Sequence, residues 1–465
     1  MGSLDLFARN VLDDIDVQAF RDNSRQLDEF AAGDFSSMAT ELTEAFPNAP
    51  SMQERYVLFA ARVADEMATL YDKPPRRVFG GVSGAAHDKL IEIYEASKFD
   101  EELKRLQARL VLQQTMIAQV LPMSTRRYTL QHYAPHEFSV APAHGAAWKD
   151  ISAARSVDLL WPLHTADERV YYGTLTITAS AAVIRGGQAS AALFPGFGGA
   201  NPYGRIPLSV LRTVEPRRGR FCGPIAEDVL ALNIALNLGA SDRETMLHHQ
   251  AWGQKVIETA GGELAPTPAM VNDLPIGADR IMVLPVAGST YRIVQGQPQV
   301  AAYIASDEHA IKTAATMRDM SPSRFSKANT AQTGAARQAD SADREQARQK
   351  YGKIFRALER EILRTVAETS RIFGDPIQIP ESARLDSIEY HAYEPPADPQ
   401  SAVQAAQMTD ATGETSPVDR VALRYNIARD DAIERMQRSL SEQSTITPTH
   451  EAGATDNGRS ITAAP

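Results

Sequence analysis

Gly81-Val-Ser83-Gly84 is one residue short of the Gly-x-Ser-x-Gly turn that lifts a serine nucleophile off the end of a strand. The residues before it form no apolar run, so the segment reads as a loop entering a helix at Ala85. Gly196-Phe-Gly198-Gly199 has the glycine density of a phosphate loop but lacks the spacing of one, and it runs into a proline rather than a helix. No Gly-x4-Gly-Lys-Ser/Thr occurs in the sequence. His248 and His249 are adjacent on a predicted helix, where neighbours point about 100° apart, so they cannot grip one metal as an i,i+4 pair can. Cys222 is the single cysteine; beside Gly223-Pro224 at a helix start its thiol could be activated, but no basic partner is visible and a small buried apolar side chain is the simpler role. These residues supply no convergent nucleophile, acid and base. No catalytic residue, metal or cofactor is expected.

The bulk properties narrow the classes further. The 465 residues are 43% apolar and 23% charged, near the average for a soluble globular chain, and long enough for two or three domains. The net charge of −10 disfavours tight wrapping of nucleic acid, which needs phosphates neutralised by Lys and Arg, but not a surface past which DNA slides. One cysteine excludes an intrachain disulfide framework. The opening MGSLDLFARNVLDDIDVQ has no apolar core of a signal peptide, and no run of about 20 apolar residues predicts a membrane span.

The elements follow from periodicity. Tyr56, Phe59, Val63, Met67 and Leu70 form one stripe at helical spacing and predict a helix over 51–72, stopped by Pro74-Pro75. Leu103, Leu106, Leu110, Gln113 and Ile117 predict a second over 100–121, with Asp100 as N-cap and Pro122 beyond its end. Between 126 and 214 the texture turns to strands: RRYTLQHY, RSVDLLW and YYGTLTITASAAVI, the last with Leu175, Ile177, Ala179, Ala181 and Val183 at period two before Gly186-Gly187. A helix resumes at Pro224 with Val229, Leu232, Leu236, Met246 and Leu247 on its apolar side. Short strands at 280–285 and 290–294 come next, and a helix over 301–320 returns. Residues 321–333 are small and polar. A very long helix is predicted over 335–373, with an apolar second half (Tyr351, Ile354, Phe355, Leu358, Ile362, Val366), a charged face expected to be solvated, and a kink at Gly352. One more helical stretch lies near 418–443, and 441–465 has the composition of a disordered tail. The fold class is α+β.

The order of these segments is distinctive: an α+β body, a helix, a small β-rich excursion of about 50 residues, a returning helix, a polar loop, a very long helix, then C-terminal helices. Too short to bury a core alone, such an excursion needs neighbours. The order, together with the phrases AFPNAPSMQERYVLFAARVADEMATLYDKPPRRVF, YGRIPLSVLR, GRFCGPIAEDVLALNIALNLGASDRETMLHHQAWGQ and IGADRIMVLPVAGSTYRIVQGQPQVAAYIASDEHAIKTAATMRDM, resembles the bacteriophage portal protein family over roughly residues 40–440.

The resemblance implies a portal-type fold: an α/β wing (1–219), a two-helix stem (220–250 and 301–318), a β-containing clip (251–300), a tunnel loop (319–333), the long helix and return segment of the wing (334–396), a helical crown (397–440) and a loose tail (441–465). It implies a ring, typically of twelve copies, at one capsid vertex of a virion, assembled in the host cytoplasm. Double-stranded DNA would pass through its channel in packaging and ejection. The implied partners are the major capsid protein, the terminase large subunit on the clip, a head-completion or adaptor protein and a scaffolding protein. No ATP hydrolysis by the chain itself is implied. The predicted stem stretch 220–250 carries Glu227, Asp228, Asp242 and Glu244 against Arg220 and Arg243, whereas the tunnel-loop region offers Arg318, Arg324 and Lys327, sparse cations that a ring would multiply. Arg324 and Lys327 either touch passing phosphates or only solubilise the loop. Two other classes remain open at this stage: an enzyme whose site is assembled from dispersed residues, and a cytoplasmic helical scaffold without a channel.

Overall fold

The computed structural model describes residues 14–45, 54–141, 149–164, 170–186, 189–217, 220–252, 254–259, 281–285, 290–294, 300–318, 320, 325, 334–391, 418 and 433–438. The chain divides into two compact units, Met1–Tyr393 and Glu394–Pro465. In the second, residues 433–438 are helical. The first holds every element described below, and its class is α+β.

Helices α1 (Asp14–Ala32), α2 (Ser36–Ala45) and α3 (Phe59–Met67) open the first unit. Strand β1 (Arg76–Gly80), helix α4 (Ala85–Ala96) and helix α5 (Phe99–Gln113) follow. Then come β2 (Thr115–Pro122), β3 (Tyr128–Tyr133) and β9 (Leu208–Arg212), which form an antiparallel sheet in the order β3-β2-β9. Between β3 and β9 the chain makes a five-stranded antiparallel meander from β4 (Phe138–Ala141), β5 (Ser156–His164), β6 (Val170–Ile177), β7 (Ala182–Gly186) and β8 (Ala189–Ala192).

The β3-β2-β9 sheet separates two cores, and period two along β2 decides which side chain enters which. Met116, Ala118 and Val120 join the large helical core with Leu103, Leu106, Leu110 and Phe355. Ile117 points the other way, to Val157, Leu159, Leu175 and Ile177 of the meander.

Four sequence expectations are corrected here. The helix expected over 100–121 ends at Gln113; Gln114 takes a left-handed conformation (φ 55°), its N–H closes on the Leu110 carbonyl, and the remainder is β2. Because β2 is buried on both faces, its apolar run carries no alternation and imitates a helix. Asp100 is not the N-cap; Lys98, also left-handed, precedes the helix. The helix expected over 51–72 is only Phe59–Met67, because Glu54–Leu58 takes no regular secondary structure. The period-two run through Val183 is two strands, turned at Thr178–Ala181 by the Thr178 hydroxyl, which accepts from the Ala181 N–H (2.8 Å).

Helix α6 (Glu227–Trp252) starts three residues after Pro224 and runs through Gly239. It leads into β10 (Gln254–Thr259), β11 (Ile281–Pro285) and β12 (Thr290–Val294), a sheet ordered β11-β10-β12, with β10 parallel to β11 and antiparallel to β12. Helix α7 (Val300–Met317) returns.

The long helix α8 (Gly334–Ile372) has 39 residues, roughly 58 Å at 1.5 Å per residue, and passes Gly352 without interruption. Tyr351, Phe355, Leu358, Ile362 and Val366 are buried, as the periodicity predicts. Its charged face is not simply solvated. Glu359 is fully buried, its carboxylate accepting from Arg77 Nε (2.5 Å) and the Tyr71 hydroxyl (2.8 Å), and Arg348 is buried with Nη1 donating to the Thr69 carbonyl (2.9 Å). Strand β13 (Arg384–Glu389) pairs with β1. Among the described residues no helix is long and apolar enough to cross a membrane.

Candidate functional site

α6 and α7 lie antiparallel, tied near both ends by ion pairs. Arg318 Nε donates to Asp228 Oδ2 (2.9 Å) at the body end, and Arg243 Nη1 donates to Asp307 Oδ2 (2.6 Å) toward the sheet. Burial changes along the pair. Ile225, Ala226, Val229, Leu230 and Leu236 of the α6 end, and Ala314 and Ala315 of α7, belong to the large core. Farther out, Leu247, Tyr303 and Ile304 are exposed. The helices are therefore rooted in the body at one end and leave it before they reach the β11-β10-β12 sheet.

A polar ladder on α6 holds the irregular segment before α3. Asn233, Asn237 and Ser241 are fully buried, at i, i+4 and i+8 on one face. Ser241 Oγ accepts from the Arg55 N–H (2.9 Å) and donates to the Arg55 carbonyl (3.3 Å). Asn237 Oδ1 accepts from the Val57 N–H (2.5 Å), and Nδ2 donates to the Val57 carbonyl (3.3 Å). Asn233 Oδ1 accepts from the Ala60 N–H (3.1 Å). One turn farther along, Glu244 accepts from Arg55 Nη2 (2.9 Å). Helix side chains thus take the part that a neighbouring strand would play, satisfying main-chain groups that would otherwise be partly buried without partners. The signal was present in ALNIALNLGAS, as polar residues on the buried side of a helix, but a search for apolar stripes passes over it.

The sequence-derived cation positions fare differently. Arg318 is mostly buried against Asp228. Burial works against the Asp228 charge, but the Arg318 hydrogen bond and charge outweigh it and hold the carboxyl below its usual range. Arg324 and Lys327 lie outside the described residues, as do the His248 and His249 side chains. Asp228, Arg243 and Glu244 of the predicted acidic stretch are each engaged in an ion pair.

A second polar cluster bears on the enzyme reading. Asp28, His136 and Glu137 bring their ligand atoms within 4.8 Å of one another. Arg109 already bonds both carboxylates of the set: its guanidinium donates to Asp28 and to Glu137 Oε2 (2.8 Å), and toward His132 Nδ1 (2.8 Å). With one cation bonding both carboxylates, the set fits an internal ion network better than a metal. Ser24 Oγ lies 3.0 Å from His136 Nδ1, and His136 Nε2 lies 4.0 Å from Asp28 Oδ2, the residue types of a hydrolase triad. Ser24 is fully buried, and its hydroxyl is committed to Gln113 Oε1 (2.7 Å) while Gln113 Nε2 donates back to the Ser24 carbonyl (2.8 Å). That closed exchange pins α1 to α5 and leaves no face for a substrate. Burial pushes the Cys222 thiol up to about 12, against the pull of Arg212 and Arg21, so it stays protonated. Ser83 is exposed in the turn before α4, and Gly196–Gly199 forms a turn in which Phe197 packs edge-on to Phe373 (5.6 Å between centroids).

No protein-family model and no curated protein matches the chain. Among solved structures, a chain from the virion of a native gene transfer agent (GTA) particle aligns at a TM-score of 0.38 and 14% identity, covering 84% of this chain and 93% of that one. A chain from the neck of a native GTA particle computed with C12 symmetry aligns at 0.39 and 13%, covering 83% and 93%. A chain from the neck of an empty GTA particle computed with C6 symmetry aligns at 0.38 and 13%, covering 84% and 94%. At these scores the functional reading rests on the geometry of the chain itself.

Proposed function

We propose that this chain is a portal protein, a structural subunit that closes into a ring, about twelve copies around, at one vertex of a phage-like capsid and lets double-stranded DNA through its centre. The observation that carries the reading is the loss of burial along α6 and α7: a paired-helix stalk rooted in the body core, with a three-stranded sheet between its free ends. Three short strands offer too little chain for a core of their own. Contacts between copies supply what the single chain lacks.

On this reading 220–250 and 301–318 are the stem, 251–300 the clip, 319–333 the tunnel loop, 1–219 and 334–396 the wing, and 397–440 the crown. The terminase large subunit and later a head-completion or adaptor protein meet the clip. The major capsid protein surrounds the wing, a scaffolding protein aids incorporation, and the chain itself carries no catalytic step. Ion pairs within each copy leave the stem weakly charged toward DNA, which suits transit, since each neutralised phosphate adds affinity. Arg324 and Lys327 touch passing phosphates transiently. Arg318, bonded to Asp228, supports the base of that loop.

Electron microscopy of the purified protein tests the reading. Rings with an axial hole wide enough for a duplex are expected, and a population of compact monomers at every protein concentration and with capsid partners present would refute it.

A further inference from the structure

The solvent face of α8 carries cations and no acid. Lys350, Lys353, Arg356, Arg360, Arg364 and Arg371 are all exposed. At about 100° and 1.5 Å per residue they fall within roughly a third of the helix circumference and make a row roughly 32 Å long. The acids of the same stretch are engaged elsewhere: Glu359 is buried against Arg77, and Glu361 and Glu368 are partly buried on Arg205 (2.6 and 2.8 Å). Arg364 also bonds Glu368 (3.0 Å), and Arg371 bonds Glu381 (3.0 Å). Among the described residues no carboxylate answers Lys350, Lys353, Arg356 or Arg360; Arg356 only overlies the Tyr390 ring, 5.9 Å from its centroid. Four uncompensated cations on one rigid helix, in a chain of net charge −10, select an anionic partner.

Helix α4 presents the converse. Its exposed residues are Ala85, Asp88, Ile91, Glu92, Glu95 and Ala96, three acids and no cation. Lys89 is turned inward onto Asp375 (2.6 Å). Asp88 has only the neighbouring His87 within reach, 3.7 Å away. Glu92 holds Arg126 (2.9 Å) in a pair open to solvent on both sides, and such a pair exchanges at little cost. Glu95 has no side-chain partner among the described residues. The spacings of the two faces match. Lys353, Arg356 and Arg360 stand at i, i+3 and i+7, and Asp88, Glu92 and Glu95 at i, i+4 and i+7, the same intervals in reverse. Laid antiparallel, two such helices bring Lys353 level with Glu95, Arg356 with Glu92 and Arg360 with Asp88 over about 10 Å. Each trio covers only about 60° of its helix, so long side chains can meet across the contact.

We propose that α8 of one copy docks through Lys353, Arg356 and Arg360 on Asp88, Glu92 and Glu95 of α4 in the next copy. Within one copy no ion pair joins these residues, so the contact is made between chains. Its two sides are different surfaces, and a heterologous contact of that kind propagates from copy to copy until it closes. Opposite charges in matched order give it register and choice of partner more than strength. Duplex DNA would also be drawn to the α8 row, but it would leave the acidic α4 face, with its matching intervals, without a role. The assignment rests on the ring reading above and names a surface through which the ring is built.

Charge reversal tests it. Lys353→Glu with Arg360→Glu reverses the α8 row; Asp88→Lys with Glu95→Lys reverses the α4 face. All four side chains are exposed, so the circular dichroism and melting of both variants should stay close to the parent. In mass photometry either variant alone should need about tenfold more protein than the parent to assemble, because like charges then face each other. Mixed one to one, the two should assemble as the parent does, in rings that alternate, since each reversed row then meets a reversed face. A chain carrying all four substitutions should assemble as well. Rings from both single-sided variants at the parent's concentration would overturn this surface and leave the ring reading standing, as would weak assembly of each without recovery in the mixture. An α8 variant that still forms rings but no longer retards a short DNA duplex in a gel would assign the row to DNA instead. A parent that never assembles removes the ring reading and this surface with it.

Discussion

Asn237→Ala removes the central rung of the ladder that joins α6 to the segment before α3. Asn237 makes three bonds: it accepts from the Val57 N–H (2.5 Å) and donates to the Val57 carbonyl (3.3 Å) and the Asn233 carbonyl (2.7 Å). At about 1 kcal/mol net for a typical bond, with ~1–3 kcal/mol more for a main-chain N–H left without a partner, the loss is about 3 kcal/mol. A water entering the space would lower that figure, whereas Asn237 is fully buried and the alanine leaves a gap that raises it. Most of the change should appear locally. Amide hydrogen exchange followed by mass spectrometry should show Arg55, Val57 and Ala60 exchanging on the order of a hundredfold faster, while the amides of α5 and β2 keep their protection. Unchanged exchange at Val57 and Ala60 in a folded variant would refute the ladder as the restraint.

Two further outcomes follow from buried ionisable groups. Arg77→Ala leaves the Glu359 carboxylate fully buried without its cation and should cost about 3–5 kcal/mol in urea unfolding; replacing both residues with apolar ones of similar size should recover much of that. His132 is held neutral, its pKa pushed down to about 4, first by burial and then by the adjacent Arg109 charge. The unfolded chain therefore takes up the proton first as pH falls from the ordinary histidine value of about 6.5, and stability present above that pH is lost toward pH 4, by up to about 3 kcal/mol. His132→Gln should flatten that part of the stability–pH curve measured by thermal melting.

Several elements were legible residue by residue. Tyr351 through Val366 recur at helical spacing, and the helix is there with that face buried. Strands 281–285 and 290–294 announce themselves by β-branched residues between glycines and prolines. Strand β2 was not legible, because a strand covered on both faces shows no alternation, and the register break is one residue, Gln114, taking a left-handed turn. Glu54–Leu58 was misread for a related reason. Its apolar spacing continues that of α3, but its main-chain groups are claimed by Asn237 and Ser241, about 180 residues away.

The candidate sites divide in the same way. A loop serine, an isolated cysteine and glycine turns without phosphate-loop spacing are weak chemistry on sequence grounds alone, and the structure adds reasons: an exposed turn, a protonated thiol and a phenylalanine contact. The Ser24, Asp28, Arg109, His132 and His136 cluster had no sequence signal, since its members come from three elements and a loop, spread over more than a hundred residues.

Local sequence determined the helices with one buried face, the α+β class and the order of body, paired helices, small sheet and long helix, because periodicity and turn residues act within a few residues of where they are written. Tertiary structure alone decided which charges on α8 enter the core, which main-chain groups α6 satisfies and which apolar side chains stay bare. Those outcomes depend on what lies across the gap from each side chain, and desolvation and hydrogen bonding are determined by that neighbour, however far along the chain it stands.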